Sequence, residues 1–189
     1  MRYNLEKKPS RFAIRTLKTF SDTMFSLLET KSFETIMVSE ICQLANYPRA
    51  TFYNYFEDKY DLLEYCWTII KDKIYPQDFV EMNSENRVYE IFGRIYDFFD
   101  EKKDRLFRIL SHNPLEGELY LCFKQYMGSQ ILDIMNTIHF SSDRFLPEGL
   151  LAEYYCATML LVLEYSFLKE MKFTKTQAIA YLQTLLKKG

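Results

Sequence analysis

Apolar residues recur at helical spacing along most of this chain. Ala13, Leu17, Phe20, Met24, Leu27 and Leu28 form one buried stripe of a helix over about 11–30, with Ser10 placed to cap it. A short helix over about 38–45 follows. Asn46 stops it, because Asn tolerates the left-handed backbone that a helix end often needs. Pro48 opens a third helix that ends near Tyr55, since its fixed φ suits a first turn. Asp58 caps a fourth over 59–75, and Pro76 bars its continuation. Further helices are predicted at about 84–101, 103–111, 115–138, 147–171 and 174–187, with breaks at His112-Asn-Pro-Leu and His139-Phe-Ser-Ser-Asp. Thr174-Lys-Thr-Gln177 matches a capping box and marks the start of the last helix. The pattern is all-α, with no repeat and no low-complexity segment.

Two short helices about a tight turn, at 36–63, have the shape of a helix-turn-helix whose second helix reads DNA. The surrounding residues narrow this. Val38-Ser-Glu-Ile41-Cys42, Asn46-Tyr47-Pro48, Thr51-Phe-Tyr-Asn-Tyr-Phe56, Lys59 and Leu62 resemble the N-terminal pattern of the tetracycline-repressor (TetR) family over about residues 10–65. Four positions depart from it: Asn46 replaces the usual Gly, Cys42 a small Ala, Pro48 a Ser or Thr, and Met37 a capping Thr. The other two-thirds of the chain fits the family only in length and helical character.

The resemblance implies a helix-turn-helix domain over 1–58, a connecting helix over 59–75, and a larger ligand-sensing and dimerisation domain over 76–189. An α-helix fits the major groove with its N-terminal residues toward base edges. Arg49, Ala50, Thr51 and Asn54 are therefore expected at the reading face. Arg49 suits a guanine and Thr51 a thymine methyl or a phosphate. Tyr53 and Tyr55 suit phosphate oxygens at the helix rim. Lys59, opening the fourth helix, adds charge to a phosphate-attracting helix start. Ser39 is the polar group nearest the start of the scaffold helix. Phe52 and Phe56, four apart, pin the reading helix to the first helix, helped by Ile41, Leu44 and Ala45.

Charge agrees with this polarity. The chain of 189 residues carries a net −2, yet residues 1–18 carry six basic residues against Glu6 alone, a net of +5 that leaves −7 for the rest. A basic end on an acidic body suits a phosphate-facing tip. Aromatics make up 17% of the chain, enough to line an apolar cavity in the body. Phe92, Tyr96, Phe99, Phe107, Tyr120, Phe123, Tyr126 and Met127 are the candidate ligand contacts, with His112 beside them. A single short reading helix covers few base pairs, so a two-fold dimer is expected. Residues 150–171 are apolar almost all round and must be covered on every face. Tyr154, Thr158, Leu161, Tyr165 and Leu168, with Tyr181, Leu182 and Leu185 of the last helix, are the candidate dimer contacts.

Enzyme chemistry finds no support: no Gly-rich phosphate loop, no metal-ligand cluster and no nucleophile–base pair can be read, and no cofactor is expected. Cys42, Cys66, Cys122 and Cys156 are widely spaced, which fits buried reduced thiols in a cytoplasmic protein. The start lacks the apolar core of a signal peptide. Ala157–Leu168 is short and interrupted by Glu164, so no membrane span is expected. The implied function is a homodimeric repressor released from a palindromic operator by a small apolar or aromatic ligand. The alternative keeps the DNA head and places the body under a protein partner, as in an activator.

Overall fold

The computed structural model describes residues 10–74, 87–138, 146–169 and 172–187. Among them the elements are α1 (Arg11–Leu28), a 3-10 turn (Phe33–Thr35), α2 (Val38–Leu44), α3 (Arg49–Tyr53), α4 (Lys59–Ile74), α5 (Arg87–Glu101), α6 (Lys103–His112), α7 (Glu118–Ile138), α8 (Glu148–Phe167) and α9 (Lys175–Lys187). No described residue lies in a strand, so the fold is all-α. The His139 break lies outside the described residues.

The helices divide into two compact units, Met1–Lys71 with Asp104–Leu121, and Asp72–Lys103 with Cys122–Gly189. The sequence reading places a single division at residue 76, whereas these contact units interleave along the chain. α6 and the start of α7 belong with the head because long-range contacts hold them there. Glu29, at the end of α1, receives Arg105 at 2.6 Å and Arg108 at 2.8 Å from α6.

In the first unit the α1 stripe is buried throughout, from Ala13 to Leu28. Ser10 caps the helix by accepting from the Ala13 N–H at 3.1 Å. Cys66 is fully buried there, and burial pushes its thiol up to about 12. Such a thiol is a packing group, with almost no thiolate for redox chemistry.

In the second unit α5, α8 and α9 pack on one another. A side chain at Gly93 would bring its Cβ to 3.2 Å from Lys175 Cε and 3.5 Å from Ile179 Cδ1, so glycine permits the close approach of α5 and α9. Asp97 and Lys175 close that contact with an ion pair of 2.5 Å. The capping box forms as the sequence predicts: Gln177 Oε1 accepts from the Thr174 N–H at 3.0 Å, and Thr174 Oγ1 from the Gln177 N–H at 3.4 Å. By length and composition α8 is apolar enough to cross a bilayer, which its Glu164 argued against. Its buried residues, from Leu151 to Phe167, make it a core helix of this unit.

Candidate nucleic-acid interface

The reading helix is seated by aromatic packing. Phe20 of α1 meets Tyr47 at 5.3 Å, Phe52 at 5.4 Å and Phe56 at 6.2 Å between ring centroids, the last two edge to face. Phe52 and Phe56 lie 5.4 Å apart and are fully buried, as their spacing predicts. Ile41 and Ala45 of α2 are buried beside them. Leu44, expected to help, is instead exposed. It follows Ile41 by three residues on a helix that buries only its Ile41–Cys42 edge.

The turn from α2 to α3 has a definite chemistry. Asn46 takes φ 56°, the left-handed region. The Tyr47 N–H then donates to the Cys42 carbonyl at 3.0 Å and the Asn46 N–H to Gln43 at 3.2 Å. That pair of bonds is a Schellman motif, so Asn serves where glycine is usual. Pro48 is the N-cap of α3, with ψ 147°, and Arg49 is its first residue.

With Phe52 turned inward, the opposite face of α3 is presented to solvent. Arg49, Ala50, Tyr53 and Asn54 are exposed, and Thr51 is half-buried. Ser39 is half-buried near the start of α2, whose N-cap Met37 makes no side-chain cap. An arginine at the first position of a short, rigidly seated helix, flanked by polar groups, has the form of a major-groove reader.

Two expected backbone contacts are placed elsewhere. Tyr55 is only 8% exposed and packs beside Phe56, whereas Tyr53 is 41% exposed. α3 ends at Tyr53, so helical spacing does not carry on to Tyr55. Lys59 points into the head. Its Nζ donates to the carbonyls of Phe33 at 2.8 Å and Glu34 at 3.0 Å, and sits 4.6 Å from the Phe33 ring centroid. The start of α4 is likewise filled: Asp58 accepts from the Tyr60 and Asp61 N–H groups at 2.9 Å each. Asp58 and Lys59 thus satisfy backbone groups within the head rather than leaving a free anion site.

Of the ligand candidates, Phe92, Tyr96, Phe99, Phe123, Tyr126 and Met127 lie in the second unit. Phe99 stands 6.3 Å from Phe123 and 6.1 Å from Phe167, and Tyr96 stands 4.9 Å from Phe167. The Tyr96 hydroxyl donates to the Phe173 carbonyl at 2.8 Å. Burial, with the charges of Asp100 and Asp97, raises its pKa and keeps it a donor. Phe107, His112 and Tyr120 fall instead in the first unit, where Phe107 and His112 are exposed.

The dimer candidates divide in the same way. Tyr154, Leu161, Tyr165, Tyr181 and Leu185 are exposed. Leu168 is half-buried, and Thr158 and Leu182 are buried within the protomer. The exposed side chains form one surface. The Tyr154 hydroxyl donates to the Leu185 carbonyl at 2.8 Å, and Phe173 links Tyr165, at 5.8 Å, to Tyr181, at 4.8 Å.

Comparison with known proteins agrees with the geometry. Residues 22–66, from mid-α1 into α4, match the family described as bacterial regulatory proteins, tetR family. The HTH-type dhaKLM operon transcriptional activator DhaS of Lactococcus lactis subsp. lactis (strain IL1403) is 32% identical over 77 residues, 41% of this chain. That match spans only 37% of the relative's length. A TetR-family transcriptional regulator from Syntrophomonas wolfei str. Goettingen has a similar fold, with a TM-score of 0.65 at 20% identity over 91% of this chain and 93% of that one. The transcriptional regulator FadR of Bacillus subtilis, solved in complex with stearoyl-CoA, gives a TM-score of 0.53 at 12% identity over 90% of this chain and 95% of that one. At these identities the structural likenesses speak to fold alone.

Proposed function

We propose, from the match of residues 22–66 to the TetR family of bacterial regulatory proteins, that this chain is a homodimeric repressor that an apolar or aromatic small molecule releases from a palindromic operator. The observation that carries the dimer is the continuous uncovered surface of α8 and α9, with Leu161, Tyr165, Tyr181 and Leu185 exposed on it. Apolar side chains gathered on one surface mark an interaction site rather than scattered exposure. A surface paired with its own copy is isologous, so it generates a two-fold axis. Two-fold symmetry matches a palindromic site and doubles the base pairs read.

Arg49, Ala50, Thr51, Tyr53 and Asn54 are the proposed DNA contacts. Ser39 remains a proposed contact at the start of α2. The proposed ligand contacts are Phe92, Tyr96, Phe99, Phe123, Tyr126 and Met127. Release follows if the ligand favours a dimer geometry whose two α3 helices no longer match successive major grooves. FadR of Bacillus subtilis, solved with stearoyl-CoA, is an example of this fold with a ligand that carries a long apolar chain. A second reading is a body controlled by a protein partner, as in an activator; the relative that is 32% identical over 77 residues, itself an activator, supports activation.

Sedimentation velocity of the full chain tests the dimer. At micromolar concentration we expect a species of twice the 22.8 kDa chain mass. Leu161→Arg is expected to give a monomer that binds operator DNA weakly. A wild-type monomer that binds DNA as tightly as at higher concentration would defeat the dimer reading.

A further inference from the structure

The turn between α6 and α7 carries a buried polar side chain that DNA contact leaves unused. Asn113 is 2% exposed, and its amide is spent entirely on backbone. Oδ1 accepts from the Phe33 N–H at 2.7 Å. Nδ2 donates to the carbonyls of Leu28 at 3.1 Å, Lys31 at 3.2 Å and Ile109 at 2.9 Å. Leu28, Lys31 and Phe33 belong to the stretch that leads from α1 toward α2. That stretch lacks a helical partner for these groups, and buried backbone groups must be paired.

Two further contacts hold the same elbow. Glu29 takes Arg105 and Arg108 of α6. Glu34 Oε1 accepts from the Glu118 N–H, the first residue of α7, at 2.9 Å. Gly117 precedes it, and a Cβ there would crowd the Pro114 carbonyl oxygen at 3.1 Å.

We propose that Asn113 is a positioning residue for DNA reading, fixing the path of the chain into α2 and so the seat of α2 and α3. The proposal deepens the DNA-reading role above and rests on it. Phe33 is the hub. Asn113 holds its N–H, Lys59 of α4 holds its carbonyl, and its fully buried ring packs 5.2 Å from that of Tyr60. One amide therefore ties α6 to the end of α1 and to the lead into α2, which α4 holds in turn through Phe33. The elbow is joined covalently to the second unit at both of its ends, after Lys103 and after Leu121.

The test uses the full chain and a duplex enriched from a random library by the wild-type protein, with a shuffled duplex as control. Asn113→Asp keeps the size and the acceptor for Phe33 but turns a carboxylate toward three carbonyls. At pH 8, with folding verified by circular dichroism, the ratio of enriched to shuffled affinity is expected to fall about tenfold. It is expected to recover toward pH 5.5, where a protonated carboxyl donates again, while the wild-type ratio shows no such recovery. Leu63→Ala, a core truncation in α4, is expected to lower stability and keep the ratio. Glu29→Gln loosens the elbow from its surface and is expected to lower the ratio by about two- to fivefold, which keeps the test open should Asn113→Asp not fold. An unchanged ratio in folded Asn113→Asp, or in Glu29→Gln, overturns the proposal, and so does an equal loss in Leu63→Ala. If the wild-type protein enriches no sequence, the DNA-reading role itself fails, a different result from either.

Discussion

Phe20→Leu probes how the reading helix is held. The Phe20 side chain has no exposed surface, and its ring meets Tyr47, Phe52 and Phe56 at 5.3, 5.4 and 6.2 Å. Each such pair contributes about 0.5–1.5 kcal/mol beyond buried area, so three contribute about 1.5–4.5 kcal/mol. Leucine recovers much of the area but none of the ring geometry. Complete removal of a buried Phe side chain costs about 3–5 kcal/mol. The loss for leucine should therefore be about 2–3 kcal/mol. Trp67, the single tryptophan, is buried on α4 within the first unit, so its fluorescence during urea unfolding reports the head. Because Phe52 and Phe56 form the buried side of the reading helix, DNA binding should also weaken where the variant is still folded. A stability change under about 0.5 kcal/mol, the range of ordinary surface substitutions, would refute the aromatic seating by Phe20. So would a folded variant with wild-type DNA affinity.

Lys59→Ala should lower the stability of the Trp67-reported transition by about 1–3 kcal/mol, because it strips the charged donor from two carbonyls. The salt slope of DNA binding should stay unchanged, and a flatter slope would restore a phosphate role to this lysine. Acid should loosen the head. Burial alone would raise the Glu29 carboxyl, but the hydrogen bonds and charges of Arg108 and Arg105 outweigh it and hold its pKa below the ordinary value. The Glu118 N–H does the same for Glu34. A depressed folded pKa means a stabilising contribution fully present above the ordinary value of 4.5 and lost as pH falls through the lower folded one. Urea titrations between pH 6 and pH 3 should show that loss. Combining Glu29→Gln with Glu34→Gln should flatten it, and an equally steep fall in that variant would count against these two carboxylates.

Local signals in the sequence proved readable because they act over a few residues. Asn46 ends α2 by a backbone preference of its own, and Phe52 and Phe56 share a face by helical geometry alone. Asp58 and the Thr174–Gln177 box bond to N–H groups two or three residues away. Non-local contacts were not legible in the same way. Lys59 opens a helix, yet its partners are carbonyls of the 3-10 turn some two dozen residues earlier. Phe107, His112 and Tyr120 follow α5 in sequence, but the contacts of α6 and of Asn113 place them in the head. On helices as apolar as α8, periodicity does not tell the buried side from the uncovered one. Thr158 therefore turned inward while Leu161 did not. Asn113 itself read only as part of a helix break, since nothing local reveals that four backbone groups converge on it.

In the proposed dimer α3 reads DNA twice, once from each protomer, with Arg49 at its leading position. Selection from a random duplex library, run in parallel with wild type and Arg49→Ala, measures this most directly. Wild type should enrich an inverted repeat with half-site centres about 10–10.5 base pairs apart, or a multiple of that. Arg49→Ala should keep the repeat but lose preference at one symmetric pair of positions, a guanine in each half-site. A single unrepeated site, or an Arg49→Ala preference identical to wild type, would contradict the account.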